Sequence, residues 1–263
     1  MLTFVKLGGS LITDKRVAQA FRADIASRVA TEVAQALATA PQPLIIGHGS
    51  GSFGHFPAHV HGTMQGVSTG EQWRGFAEVA MAAADLNALM SHALWNAGVP
   101  VWRIQPSASL VASDGIPQSL STQAINAALT NGLVPLIYGD VAVDTVRGGT
   151  IVSTESLFTH LAQILPVTRI ILVGEVDGVL DDDGSVIPHI TPATVGAARS
   201  ALKGSSGTDV TGGMLTKVTD MVALVAQKPS LRIKIVNGTV AGVLQTVLTD
   251  VDRNNVGTTI SAD

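Results

Sequence analysis

Short β-rich apolar runs that break off into glycine, separated by longer alanine-rich stretches of helical period, constrain this chain more than any other feature. That alternation is the pattern of an α/β sheet with crossover helices. Strands are expected over Leu2–Leu7, Leu44–Gly47, Val101–Gln105, Val134–Tyr138, Arg169–Val173, Arg232–Asn237 and Gly257–Ile260, with a small hairpin over Val141–Val152 around Gly148-Gly149. Helices are expected over Asp24–Ala38, Glu71–Ala97, Thr122–Thr130, Ser156–Leu165, Ala193–Ala201, Lys217–Gln227 and Val240–Leu248. The first shows apolar residues at helical spacing (Ile25, Val29, Val33, Leu37), with Pro41 just beyond. A second strand–loop series begins near residues 166–175. Residues 1–165 therefore read as an N-terminal lobe and 166–263 as a C-terminal lobe, sharing one mostly parallel sheet.

Composition narrows the function classes. The 263 residues suffice for a substantial core, and 46% hydrophobic with 14% charged residues fits a globular enzyme. A net charge of −4 without a basic block, and few aromatic residues, argue against a nucleic-acid partner. The absence of cysteine excludes disulfides, thiolate metal sites and thiol nucleophiles. No apolar run is long enough to span a bilayer, and Lys6 with two glycines interrupts the start too early for a signal peptide. A cytoplasmic location is expected.

Three glycine loops carry the chemistry: Lys6-Leu7-Gly8-Gly9-Ser10, residues 47–55 (GHGSGSFGH), and Asp209-Val210-Thr211-Gly212-Gly213-Met214 with Lys217 beyond. Backbone amides in such loops, backed by a helix N-terminus, cradle anions, and three loops with two attached lysines point to several phosphate groups. Gly49, Gly51 and Gly54 satisfy G-x-G-x-x-G. Residues 55–63 nevertheless read as broken by Pro57 and Gly62 rather than as a crossover helix, and no acidic residue ends a second strand at the dinucleotide-binding distance. No Gly-Lys-Ser/Thr closes any loop, which excludes a Walker A site. His55, His59 and His61 lack a matching carboxylate or cysteine, so no metal site is expected. His48 is expected to pack and hydrogen-bond at its strand end, and Asp181-Asp182-Asp183-Gly184 reads as a solvated turn.

In order along the chain stand Lys6–Ser10 with Thr13-Asp14-Lys15, His48–His55, Tyr138-Gly139-Asp140-Val141, Gly174–Gly178 (GEVDG), Asp209–Met214 with Lys217, and Val236-Asn237-Gly238 followed by Gly257-Thr258. Together they resemble the amino acid kinase family, and within it the isopentenyl phosphate kinases, of which the GSFGH ending is the subfamily-specific part. The resemblance implies a three-layer αβα sandwich on a mostly parallel central sheet, usually a homodimer. ATP would lie over the C-terminal lobe and the phosphate acceptor over the N-terminal lobe, with Mg²⁺ held mainly through the phosphates. The implied reaction transfers the γ-phosphoryl of ATP to isopentenyl monophosphate, or to dimethylallyl and longer isoprenoid monophosphates.

The resemblance also assigns residues. Lys6, Lys15, His55 and Lys217 would be catalytic. Lys6, Gly8, Gly9, Ser10, Gly51, Asp177, Asp209, Gly212, Gly213 and Lys217 would hold ATP, with Asp140 a lesser alternative to Asp209 for orienting lysines or Mg²⁺-bound waters. Gly49, Ser50, Gly54, His55, Thr154 and Glu155 would face the acceptor, and His55 would hydrogen-bond its phosphate. An acceptor phosphate is already ionised near neutrality, so no general base is needed. Ser50 and Thr154-Glu155 depart from the family pattern, Ser50 harmlessly if its φ is negative. The alanine-rich stretch 77–90, with Ala80, Ala82, Ala83 and Ala84, reads as core helix and as one wall of an isoprenoid channel. Two other functions remain open: a kinase for another small phosphate or phosphonate such as fosfomycin, and a non-catalytic nucleotide sensor.

Overall fold

Alternation along the strands decides the architecture. In the computed structural model, which describes residues 1–196, 198, 213–250 and 256–263, Leu2–Leu7 forms β1 and every residue of it is buried. Phe4 faces one apolar core with Ile45, Ile170 and Ile233, whereas Val5 and Leu7 face a second with Ile46, Ile171 and Val173. A strand covered on both sides has no polar face, which is why these segments read as continuous apolar runs.

The elements follow in order: α1 (Gly9–Ile12), α2 (Ala23–Thr39), β2 (Leu44–His48), α3 (Gly51–His61), α4 (Gly70–Asn96), β3 (Val101–Arg103), β4 (Val111–Ser113), β5 (Ile116–Ser119), α5 (Gln123–Thr130), β6 (Val134–Tyr138), β7 (Asp140–Asp144), β8 (Gly148–Val152), α6 (Thr154–Ile164), β9 (Val167–Gly174), β10 (His189–Ile190), α7 (Gly213–Gln227), β11 (Arg232–Asn237), α8 (Val243–Thr249) and β12 (Thr258–Ile260). Eight strands make one sheet in the order β10-β12-β11-β9-β1-β2-β6-β3, in which only the β11–β12 pairing is antiparallel. Helices α2, α4 and α8 cover one face, and α5, α6 and α7 the other, giving the expected three-layer αβα sandwich. Phe158 of α6 tilts against Phe4 at 4.8 Å between ring centroids. Burial of such a side chain contributes about 2–3 kcal/mol and seats α6 over the central strand. On the opposite face Arg169 is buried, and its guanidinium donates to the Val247 and Leu248 carbonyls at the C-terminus of α8 and to Gln42 and Thr3.

Several boundaries differ from expectation for physical reasons. Residues 51–61 are helical in spite of Pro57, so the segment after the second glycine loop is a crossover helix after all. Gly62, at φ +62°, ends α3 rather than breaking it. Packing replaces the hydrogen bond that Pro57 forgoes: the His61 ring lies so close over Gly75 of α4 that a Cβ there would come within 2.3 Å of it. The expected strand Val101–Gln105 stops at Arg103. The Val240–Leu248 helix starts only at Val243, where Glu32 accepts from the amides of Gly242, Leu244 and Gln245. Ser153 caps α6 by accepting from the Ser156 amide, so that helix opens at Thr154, not Ser156. The Ala193–Ala201 helix falls partly outside the described residues.

The expected 141–152 hairpin is β7–β8, and it belongs to a second sheet of order β5-β4-β7-β8. Its β4–β5 turn is Asp114-Gly115, both at positive φ, an Asp-Gly hairpin signal that the sequence carried openly. Asp144 knits this sheet together by accepting from the amides of Asp114, Gly115, Val146 and Arg147. Burial would raise its pKa, but the four amides outweigh that and bring it down to about 2. The ionised form is thus favoured in the folded state. Its stabilisation is complete above the ordinary carboxylate range near pH 4 and is lost as pH falls through about 2. Thermal melts of wild type and Asp144→Asn should therefore differ most at pH 7 and converge between pH about 4 and about 2. A gap that stays constant over that range would contradict this account.

Candidate active site

The loops of interest leave the carboxyl ends of adjacent parallel strands, where α/β sheets place their ligands. Glycine carries the ladder one step beyond each strand. Gly8 donates to the Val173 carbonyl at 2.8 Å, Gly49 to Leu7 at 3.0 Å, Gly139 to His48 at 3.1 Å and Gly238 to Gly174 at 2.8 Å. The first two loops then touch backbone to backbone. A Cβ on Gly9 would lie 2.5 Å from the Gly51 nitrogen, and one on Gly51, at φ +50°, would lie 2.2 Å from the Thr13 hydroxyl. That hydroxyl donates to Gly9 O at 2.7 Å and accepts from the Ser52 amide at 3.0 Å, locking the two loops together. Much of the glycine density therefore serves loop-against-loop packing. The remaining N-terminal amides of α3 form the positive end of an eleven-residue helix.

Lys6 is the central charge of the site. It is even-numbered on β1, so it shares the α6 face with Phe4, and it is only 7% exposed. Its Nζ lies 2.7 Å from Oε1 of Glu155, in the first turn of α6. Lys217 of α7 reaches the same oxygen at 3.8 Å. Burial works against ionisation of Glu155, but the charges of Lys6 and then Lys217, with the Lys6 hydrogen bond, hold its carboxyl below the usual range. Nearby Asp220 is shifted the other way, by burial and by the charge of Glu155.

The structure brings together most of the residues expected here. Gly8, Gly9 and Ser10 follow β1, and Gly49, Ser50, Gly51, Gly54 and His55 form the turn into α3 and its first turns. Ser50 has φ −73°, so a side chain at that position is unstrained. Lys15 is exposed on the segment after α1. Asp14 beside it is held far below the carboxylate range, chiefly by its hydrogen bonds from the Arg16 side chain and amide. His55 is an exposed residue whose imidazole sits below its ordinary pKa, through desolvation and then the positive fields of Lys15 and Lys6. Thr154 is 1% exposed, and its hydroxyl donates to the His48 carbonyl at 2.6 Å, so it forms the floor of the site. Asp140 is likewise buried, accepting from the amides of Ser107 and Val141. Asp209 and Gly212 lie outside the described residues, and Gly213 opens α7.

A cavity of about 380 Å³ adjoins the ends of β9 and β11, walled by Val186, Val240, Val243 and Val256 with Asp177 and Asn237 at its polar side. Asn237 donates to Asp177 at 2.8 Å. Arg22 bridges this side to the first glycine loop, donating to the Ser10 carbonyl and pairing with Glu175 at 2.6 Å. Neither Arg22 nor the pairing geometry of Glu155 was visible beforehand. The Ser153-x-x-Ser156 cap is the signal that would have placed Glu155 on a helix pointing at β1. On α4, Ala82 and Ala83 are buried, and Ala80 and Ala84 are half-buried.

Residues 1–237 match the amino acid kinase family. Isopentenyl phosphate kinase of Haloferax volcanii is 39% identical over 224 residues, covering 85% of this chain and 88% of that protein. Isopentenyl phosphate kinase of Methanocaldococcus jannaschii is 34% identical over 232 residues, covering 84% and 86%. A solved structure of isopentenyl phosphate kinase superposes with a TM-score of 0.82 at 29% identity, covering 99% of this chain and all of the other. On its fold, its ordered glycine loops and these matches together, the chain belongs to the amino acid kinase family.

Proposed function

We propose that this chain is an ATP-dependent kinase that phosphorylates isopentenyl monophosphate to the diphosphate. The observation that carries the reading is the convergence of Lys6 and Lys217 on one partly buried carboxylate, beside the N-terminus of α3 and His55. The names of the 34–39% identical relatives support the same acceptor.

An oxygen of the acceptor monophosphate attacks the γ-phosphorus of ATP as the bond from that phosphorus to the ADP oxygen breaks. Positioning and charge do most of the work in such transfers. Lys6 and Lys15 stabilise the negative charge of the transferring group, and Lys217 holds the ATP phosphates. Glu155 draws Lys6 and Lys217 to one oxygen and restrains both from collapsing onto the acceptor. Gly9, Ser10 and Gly51 would offer amides to the ATP phosphates and Ser50 to the acceptor, while Gly8, Gly49 and Gly54, whose amides are held by the Val173, Leu7 and Ser50 carbonyls, would let the phosphates approach the backbone closely. His55 binds the acceptor phosphate. Its imidazole now feels two cations, and a dianion beside it would favour the protonated, doubly donating form.

The nucleoside fits the 380 Å³ cavity, with the valines against the base and Asp177 offered to the ribose hydroxyls. The resemblance assigns Asp209, Gly212 and Gly213 to the nucleotide as well. Among the described residues no three ligating side chains cluster, and the Glu155 carboxylate is taken by Lys6. Mg²⁺ would then be carried on the ATP phosphates, where it neutralises charge. Residues 1–165 would present the acceptor and 166–263 the nucleotide. No helix among the described residues is long and apolar enough to cross a membrane, and we place the enzyme in the cytoplasm with its ATP.

We also propose a homodimer through the β3 edge of the large sheet. That edge is three residues long, and Trp95 (66% exposed) and Trp102 (42%) stand open beside it around a shallow pocket. Pairing there would cover an edge otherwise open to uncontrolled association. Light scattering should find a dimer for the wild type and a monomer for Trp95→Glu/Trp102→Glu. A wild-type monomer at micromolar concentration would refute this interface.

The acceptor is tested by ADP release from Mg-ATP with isopentenyl, dimethylallyl and geranyl monophosphates, with fosfomycin, and with no acceptor. Turnover of the isoprenoid monophosphates is expected, and His55→Ala should lower kcat/KM for them about 10–100-fold, the worth of one charged hydrogen bond, while KM for ATP stays put. Turnover of fosfomycin alone would change the acceptor. ATP binding without any turnover would leave a sensor.

Glu155→Gln should lower kcat by about 10²-fold, since it leaves Lys6 buried without its anion and removes the charge on which Lys217 converges. A kcat within about twofold of wild type would show that the lysines need no common carboxylate.

A further inference from the structure

His48 and Asn87 form a buried polar pair with no part in the transfer described above. His48 ends β2, is wholly buried and stacks on the Tyr138 ring at 5.7 Å. Its Nδ1 lies 3.0 Å from the carbonyl oxygen of Gly49, and its Nε2 lies 3.0 Å from Nδ2 of Asn87, which is 3% exposed on α4. A carbonyl oxygen only accepts, so Nδ1 carries the proton. In a neutral ring Nε2 must then accept, and the Asn87 amide donates to it. Burial depresses the imidazole, the Gly49 bond opposes and the Lys6 charge adds, bringing its pKa to about 4. The ring is therefore neutral at physiological pH, and its two neighbours leave it one tautomer.

That tautomer fixes a peptide of the acceptor loop. The Gly49 amide is tied to the Leu7 carbonyl and the Gly49 carbonyl to His48, so both ends of Gly49 are held. All peptide bonds of the described residues are trans, so the Ser50 N–H points opposite to the Gly49 carbonyl. It therefore faces away from the His48 ring, at the entrance to α3.

We propose that His48, held as the Nδ1–H tautomer by Asn87, is a positioning residue that aims the Ser50 amide at the acceptor phosphate. The proposal rests on the reading of this loop as the acceptor site. His48 touches neither substrate; it acts through one peptide plane.

Two substitutions separate this role from packing. In His48→Asn the side-chain amide nitrogen takes the place of Nδ1 and still donates to the Gly49 carbonyl. In His48→Gln it takes the place of Nε2 and does not. Glutamine fills the histidine space better, so a packing role ranks glutamine above asparagine, and the positioning role reverses that order. Steady-state kinetics with isopentenyl monophosphate should give His48→Asn a KM for the acceptor within about threefold of wild type. His48→Gln should raise it about tenfold, the loss of one hydrogen bond, with KM for ATP unchanged in both. Glutamine performing as well as asparagine would overturn the proposal. Independently, ¹⁵N spectra of histidine-labelled wild type should show His48 protonated at Nδ1 and bare at Nε2, and the reverse would overturn it. The spectra need no variant, so they decide even if neither substitution folds. A wild type that ignores isopentenyl monophosphate would instead overturn the acceptor reading, and the spectra would still judge the His48 geometry.

Discussion

The contact between Lys6 and Glu155 is the constraint on which the rest of the molecule is built. At 2.7 Å and almost out of solvent, it joins the central strand to the first turn of α6. Either charge alone would be costly there by several kcal/mol, so each secures the position of the other. Everything near it follows. Ser153 must cap α6 early enough for Glu155 to lie in its first turn. Phe158 must seat the helix on Phe4, and Gly47 must stay bare, because a Cβ there would meet the Thr154 methyl at 2.5 Å and the Phe158 ring at 2.9 Å. The 3.8 Å reach to Lys217 extends the arrangement to α7.

The hierarchy from strand to loop to ion pair also explains which parts of the molecule were readable in advance. The strand–helix alternation placed β1, β6 and β11 to the residue, and found β2 and β9 with slightly short bounds, because strands buried on both faces leave an unmistakable apolar run. The glycine loops, the lysines and His55 were likewise visible, since each sits in a short motif. What escaped reading depended on contacts from distant residues. Helix α3 survives Pro57 through its packing against α4, and α8 begins where Glu32, more than two hundred residues earlier, caps it. The β4–β5 hairpin is the exception, because Asp114-Gly115 announced it and went unread.

The site was readable in its inventory and unreadable in its wiring. Thr154 and Glu155 stood out as departures from a family pattern, yet their division of labour is a matter of two residues of helix register. Thr154 turns inward to the His48 carbonyl and Glu155 turns to the lysines. The glycines offered a similar ambiguity. Their density pointed to anions, and part of it is spent on the contact between Gly9 and Gly51.

That the loops proposed for acceptor and nucleotide hang from strands of one sheet has a geometric consequence. Their spacing is set by the hydrogen-bonded ladder itself, at about 4.8 Å per strand. From β2, which leads into the acceptor loop, to β9, which leads to the nucleotide side, is two such steps with β1 between them. The sheet is therefore a ruler that sets about 10 Å between the loop proposed for the acceptor and the side proposed for the nucleoside, with the β1 loop proposed for the ATP phosphates between them. An enzyme whose halves swing on a hinge must find that distance in every catalytic cycle. Here it is a lattice constant of the backbone, and Lys6 stands on the middle graduation.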